Sequence, residues 1–282
     1  MQTNFKITPP DSRGFTLVEL LAVIGIIAFL AILGVGLTKK CLDSASKVRE
    51  MQAARSLTTA LLATATDNNG TYLSGIDYRA GSTSYEPVYN LKGEPVLGHA
   101  AQRYPFRLRP YLGNRFDGTI LVNQNKKELA KSSASMRDYL TSTYPALGMN
   151  IFGVGGVILA NGDQMNPDDS ITRSANSIGN ILTFASGGSG TGSAKRHGYC
   201  YVTPPTKSLD SPYCKTWDSS NQWDKNKNPM NYGWVDFRHN GKAVCAFLDG
   251  SVKMLGPEEL SDMRLWTRSA YEADDPNYIL TQ

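Results

Sequence analysis

A chain of 282 residues with a net charge of +4 has room for one medium domain with a real core. The charge is too mild to argue for a nucleic-acid partner, and no Lys/Arg block with interleaved aromatics appears. Cys41, Cys200, Cys214 and Cys245 form no C-x-x-C, and with His99, His197 and His239 scattered there is no zinc-ligand spacing.

Residues 1–14 are a short polar leader with Lys6 and Arg13, and Pro9 and Pro10 keep it out of any helix that follows. From Leu20 to Leu37 no residue is charged, and Leu, Ile, Val, Ala and Phe fill nearly every position. Roughly 20 such residues in a helix span the hydrocarbon of a bilayer. Glu19 stands near the start of this run, where a carboxylate in lipid costs on the order of 3 kcal/mol and reads as functional by default. A secretory signal peptide carries its small-x-small cleavage site after the apolar region. Here the processing point lies before it.

Arg13-Gly14-Phe15-Thr16-Leu17-Val18-Glu19 resembles the prepilin signature of type IV pilins and type II secretion pseudopilins. The resemblance implies a cut by prepilin peptidase between Gly14 and Phe15, N-methylation of Phe15, and Glu19 as the fifth residue of the mature chain. It also implies a cytoplasmic leader and an extracytoplasmic head. Lys39, Lys40, Lys47 and Arg49 outnumber Lys6 and Arg13, which runs against the positive-inside tendency. The cleavage motif is the more specific guide.

Beyond the span, Leu42, Ala45, Val48, Leu57, Leu61, Leu62 and Ala65 recur at helical steps, with Lys47, Arg49, Glu50 and Arg55 mostly off that face. One helix is expected from about Thr16 to Thr66, with 15–38 as its membrane or filament-core half and 39–70 as its amphipathic half. Asp67-Asn68-Asn69-Gly70 ends it, Gly70 suiting a left-handed cap. The head then occupies 71–282 with inserted loops.

In the head, Thr119–Val122 and the stretches beginning at Gly148 and Ile178 are strand candidates, and 126–139 has weak helical character. The prolines in 104–112 argue against a central strand. Asp163, Asp168 and Asp169 form an acidic loop. Some pseudopilins hold calcium in such a loop of the head, and oxygen ligands are what calcium requires, although the spacing matches no EF-hand. A solvated surface loop is the alternative, and no other cofactor is expected. Ser186–Ser193 is flexible by composition and, lacking a closing glycine-lysine-Ser/Thr, is no phosphate loop. Cys200 and Cys214 bracket a Pro-containing loop, open to a disulfide in an oxidising compartment or to free buried thiols. Trp217 and Trp223 lie in a long polar stretch, either pinning it to the head or binding a sugar or partner.

The best-defined stretch of the head is Trp234 to Leu255. Asn240-Gly241 and Asp249-Gly250 are two-residue hairpin signals, so a three-stranded antiparallel meander is expected over about 234–238, 243–248 and 251–255. His239, nine residues and Asp249-Gly250 resemble the H-X9-DG C-terminal domain that accompanies the prepilin motif in many bacterial proteins. A catalytic His239–Asp249 pair is disfavoured, because the intervening strand is about 20 Å long at ~3.4 Å per residue. His239 is expected to cap a turn or touch a neighbouring subunit.

The expected fold is α+β: a long N-terminal helix packed on a globular head with an antiparallel sheet, in the lollipop arrangement of pilins. The expected function is a structural subunit, with prepilin peptidase, like subunits, an inner-membrane assembly platform and lipid as partners. A membrane-anchored binding module for polysaccharide or protein is the second reading. No nucleophile elbow, metal spacing or carboxylate pair supports an exported enzyme.

Overall fold

The computed structural model describes residues 16–165, 169–176, 178–205, 217, 223–224 and 226–280, with side chains for all of these except 32–40. The chain divides into two compact units, Met1–Ala45 and Ser46–Gln282.

Helix α1 runs without interruption over Leu17–Asp67, close to the bounds expected from its periodicity. In the first unit its side chains are apolar on every side, from Leu17, 77 % exposed, to Leu30, 60 % exposed. Among the described residues no helix is long and apolar enough to cross a membrane; residue 15 and the side chains of 32–38, within the span anticipated over 15–38, lie outside them.

In the second unit α1 buries Glu50, Ala53, Ala54, Leu57, Thr58, Leu61, Thr64 and Ala65. These follow the i, i+3, i+4, i+7 rule of one helix face. The C-terminal part of the expected stripe holds, with Leu57, Leu61 and Ala65 buried and Leu62 packed on the core, but its N-terminal part does not. Leu42 and Val48 are 64 % and 61 % exposed, and the buried face starts from Glu50, a charge assigned to the solvent side by the sequence reading. Asn69, at φ 52°, takes the left-handed position that ends the helix, and the Gly70 N–H reaches back to the Ala65 carbonyl at 2.7 Å.

The remaining helices are short: α2 His99–Gln102, α3 Tyr104–Leu108, α4 Asn123–Ala130, α5 Arg137–Thr143, α6 Pro257–Leu260 and α7 Arg268–Glu272. Pro105 sits in the first turn of α3, where its missing N–H is harmless. Strands β1 Ile76–Asp77, β2 Val88–Tyr89 and β3 Pro95–Val96 precede the main sheet, with β5 Val157–Ile158 and β6 Gln164–Met165 beside β1. The main sheet comprises β4 Leu147–Asn150, β7 Leu182–Ser186, β8 Tyr201–Val202, β9 Ala243–Phe247 and β10 Val252–Leu255, in the order β10-β9-β7-β4-β8.

Three expectations change here. The sheet is mixed, because β4 pairs antiparallel with β7 but parallel with β8. Thr119–Val122 makes only an isolated bridge, Asp117 with Leu121, and leads into α4. The meander loses its first strand: β9 lies between β7 and β10, while Val235 bridges Gly187 beyond the end of β7. The stretch at Gly187 and Gly188 is glycine-rich for closeness rather than freedom, since a Cβ on Gly188 would stand 2.7 Å from that of Asp236.

Both faces of the sheet are covered. Alternate residues of β9 explain how: Val244 and Ala246 face the core built on Leu57 and Leu61 of α1. Ala243, Cys245 and Phe247 face a second core with Trp217, Phe237 and Trp266. The sheet is thus a buried middle layer, and α1 is one of its covers.

Candidate functional site

The N-terminal motif builds a helix cap. The Thr16 hydroxyl accepts the Glu19 N–H at 3.3 Å, and the Glu19 carboxylate accepts the Thr16 N–H at 2.9 Å and its hydroxyl at 2.8 Å. This reciprocal pair at N-cap and N3 is a capping box, which occupies two otherwise unpaired donors of the first turn. Gly14 and Phe15, the expected cleavage pair, lie outside the described residues.

The second constellation was not foreseen. Glu50 is 1 % exposed, and its carboxylate is gripped from the loop that precedes β9. Arg238 donates through Nη2 to Oε1 at 2.7 Å and through Nε to Oε2 at 3.0 Å, a two-point fork. His239 Nε2 lies 3.1 Å from Oε2, and the Ser186 hydroxyl of β7 donates to Oε1. The Arg238 guanidinium also donates to the carbonyls of Gly187 at 2.7 Å and Ala146 at 2.8 Å, and pairs with Asp236 at 3.3 Å. The cluster therefore joins α1, β7, the segment just before β4 and the 236–239 loop through the Glu50–Arg238 pair.

The electrostatics follow from this packing. Burial alone would raise the Glu50 carboxyl, but the Arg238 charge and the His239 contact outweigh it and hold the pKa down, to about 2. Burial opposes the charge on Arg238, and Glu50 and Asp236 together keep it raised above its ordinary value. Because the folded carboxyl lies below its ordinary value near 4.5, its contribution is full above about pH 5 and is lost as pH falls toward 2. The difference is worth on the order of 3 kcal/mol. Thermal unfolding followed between pH 7 and 3 is expected to show this loss, and the Glu50→Gln variant is expected to show a flatter acid limb.

His239 and Asp249 do not meet. His239 and Lys242 exchange backbone hydrogen bonds at 3.0 and 3.1 Å across Asn240-Gly241, both of positive φ, the two-residue turn that was expected. At the other end of β9, Gly250 is at φ 82° while Asp249 is not in the left-handed region. Phe247 N–H reaches the Ser251 carbonyl and Gly250 N–H the Phe247 carbonyl, both at 2.9 Å. That is a three-residue connection with a glycine bulge, not the two-residue turn expected there. The Asp249 carboxylate accepts the Ser251 N–H at 2.8 Å, so it serves the turn. Within the chain, the side chain of His239 contacts Glu50.

Of the acidic-loop residues, Asp163 is exposed and bonded by Asn161 at 2.6 Å, whereas Asp169 is buried and its carbonyl accepts the Arg268 N–H. Asp168 lies outside the described residues. Among the described residues no group of three metal-ligating side chains gathers. Cys200 is a buried thiol, pushed up to about 11 by burial, and its anticipated partner Cys214 lies outside the described residues. Trp217 is 6 % exposed, meets Trp266 edge-on at 5.7 Å between ring centres, and donates from Nε1 to the Thr203 carbonyl; the residues on either side of it lie outside the described residues.

Residues 10–35 match the prokaryotic N-terminal methylation motif. The match, which takes in the capped start of α1, supports a type IV pilin-like protein. No curated protein and no solved structure matches the chain.

Proposed function

We propose that the chain is a structural subunit of a type IV pilus-like or type II secretion filament. It is cut between Gly14 and Phe15, methylated on Phe15 and stored as a single-pass protein of the bacterial inner membrane with its head outside. The observation that carries this reading is the methylation motif over residues 10–35 placed on a helix that is apolar all round. Such a helix needs either lipid or other helices around it. In the filament, Glu19 faces the positive amino terminus of Phe15, its own or a neighbour's, while assembly energy comes from a cytoplasmic ATPase. The His239 to Gly250 stretch fits the H-X9-DG architecture, with His239 serving to hold the head on α1.

Co-expression with a prepilin peptidase is expected to give a product that begins at Phe15 and is one methyl group heavier. An uncut chain beside an active peptidase, read by intact mass and N-terminal sequencing, would overturn the reading. The second reading, an anchored extracytoplasmic binding module, no longer draws support from Trp217, which is buried. A cleft elsewhere in the head favours it.

A further inference from the structure

A cleft of about 440 Å³ opens in the second unit, lined by Tyr85, Glu86, Tyr89, Arg107, Arg109 and Tyr111 with Asp77 and Arg79. Its volume lies in the usual range for small-molecule sites. Its lining carries three arginines against two acids, Asp77 and Glu86.

Asp77 is already saturated. Arg79 grips it through Nε at 3.0 Å and Nη2 at 2.9 Å, the Arg79 N–H adds 3.0 Å, and the Tyr85 hydroxyl donates at 3.0 Å. Arg79 also lies 5.3 Å over the Tyr85 ring. The other two guanidiniums hydrogen-bond only to neutral oxygens, although the Asp77 charge also acts on Arg107. Arg107 donates to the Ser74 hydroxyl at 3.0 Å and to the carbonyls of Ser74 and Gln102 at 2.8 and 2.9 Å. Arg109 donates to the Asn90 carbonyl. Neither forms an ion pair with a described residue, and the Nε of each is buried without a partner.

Two guanidiniums that each keep an unpartnered donor line one cleft, and a guanidinium is the side chain that binds a carboxylate through paired N–H bonds. Burial lowers Arg107, to about 10, which leaves it charged at neutral pH. The rings beside them argue against a bare anion. Tyr89, 40 % exposed, and Tyr111 each offer an apolar face with a hydroxyl at its edge. A pyranose ring presents the complementary surface of C–H face and hydroxyl rim, and an excess of one positive charge suits a single carboxylate. We propose that this cleft binds an acidic saccharide, its carboxylate held by Arg107 and Arg109 and its ring by Tyr89 and Tyr111.

The test is calorimetric titration of the full-length protein in detergent with an oligogalacturonate. A neutral galactose oligomer, inorganic phosphate and an oligoglutamate peptide serve as comparisons. Expected are binding of the uronate at least tenfold tighter than any comparison, a tenfold weakening for Arg109→Gln, and a comparable loss for Tyr111→Ala. Arg107 also ties Ser74 to Gln102, so Arg109 and Tyr111 are the safer variants, with unfolding midpoints measured alongside. Absence of binding, equal binding of phosphate, peptide or neutral sugar, or an unchanged affinity in a folded Arg109→Gln would each overturn the proposal. Because titration does not depend on peptidase processing, such a failure leaves the filament reading standing on its own test.

Discussion

Glu50→Gln is expected to destabilise the second unit by about 3–5 kcal/mol, as breaking one partner of a buried ion pair does. The substitution keeps the shape and hydrogen-bonding reach of the side chain and removes only the charge. Arg238 is then a buried cation whose remaining acid is Asp236, at 3.3 Å, and His239 faces an amide. At roughly 2–4 °C per kcal/mol for a domain of this size, the unfolding midpoint should fall by roughly 10 °C. Arg238→Met alone should cost a similar amount by stranding Glu50. The double variant should recover part of the loss, since neither charge is then left alone, although the Ala146 and Gly187 carbonyls lose a donor. A double-mutant cycle measures that recovery. A single-variant loss below 1 kcal/mol would mean the cluster is decoration.

Asn150→Asp should have an effect of the same size. Asn150 is fully buried, and every hydrogen-bonding group of its amide is engaged. Nδ2 donates to the carbonyls of Leu182 at 3.0 Å and Trp266 at 2.8 Å, while Oδ1 accepts the N–H groups of Phe152 at 3.2 Å and Gly153 at 3.1 Å. Asn150 thus ties the end of β4 to β7 and to the C-terminal segment. A Cβ on Gly153 would stand 2.1 Å from the Trp266 carbonyl, so the backbone there leaves no room to rearrange. An aspartate replaces the amide nitrogen and both its donors with an oxygen that faces the Leu182 and Trp266 carbonyls, and it brings a charge into a fully buried site. We expect a loss of about 3 kcal/mol or more by chemical denaturation. Faster hydrogen exchange should appear first around β4 and the Trp266 segment. Asn150→Ala, which removes the bonds without adding charge, should cost less.

How much of this was legible in the sequence depends on range. Local signals read well: an unbroken apolar run gave α1, the Asn240-Gly241 turn formed as its φ preferences require, and Pro105 kept its segment out of the sheet. Pairing between distant segments did not read. Residues 234–238 and 243–248 are neighbours in sequence joined by a hairpin turn, yet Val235 is drawn to Gly187 and β9 to β7, because both faces of the sheet must be covered. Glu50 falls off the apolar face when the stripe is phased from Leu42, Ala45 and Val48, two of which, Leu42 and Val48, are exposed. Its phase was the available sign: it stands in step with Ala53, Ala54 and Leu57, a carboxylate on an otherwise apolar face that demands a buried cation. The tyrosine and arginine cleft had no sequence signature, since its lining is gathered from several separate turns.

The cation that answers Glu50 lies 188 residues further along the chain. During synthesis the helix face from Glu50 to Ala65 is made early and Arg238 late, so until the 236–239 loop arrives, docking that face would strand a carboxylate in an apolar core. Contacts of such long range form late in folding. A polypeptide cut short before this loop is expected to keep that helix face open and to be cleaved faster by proteases than the full chain, which pairs Glu50 with Arg238.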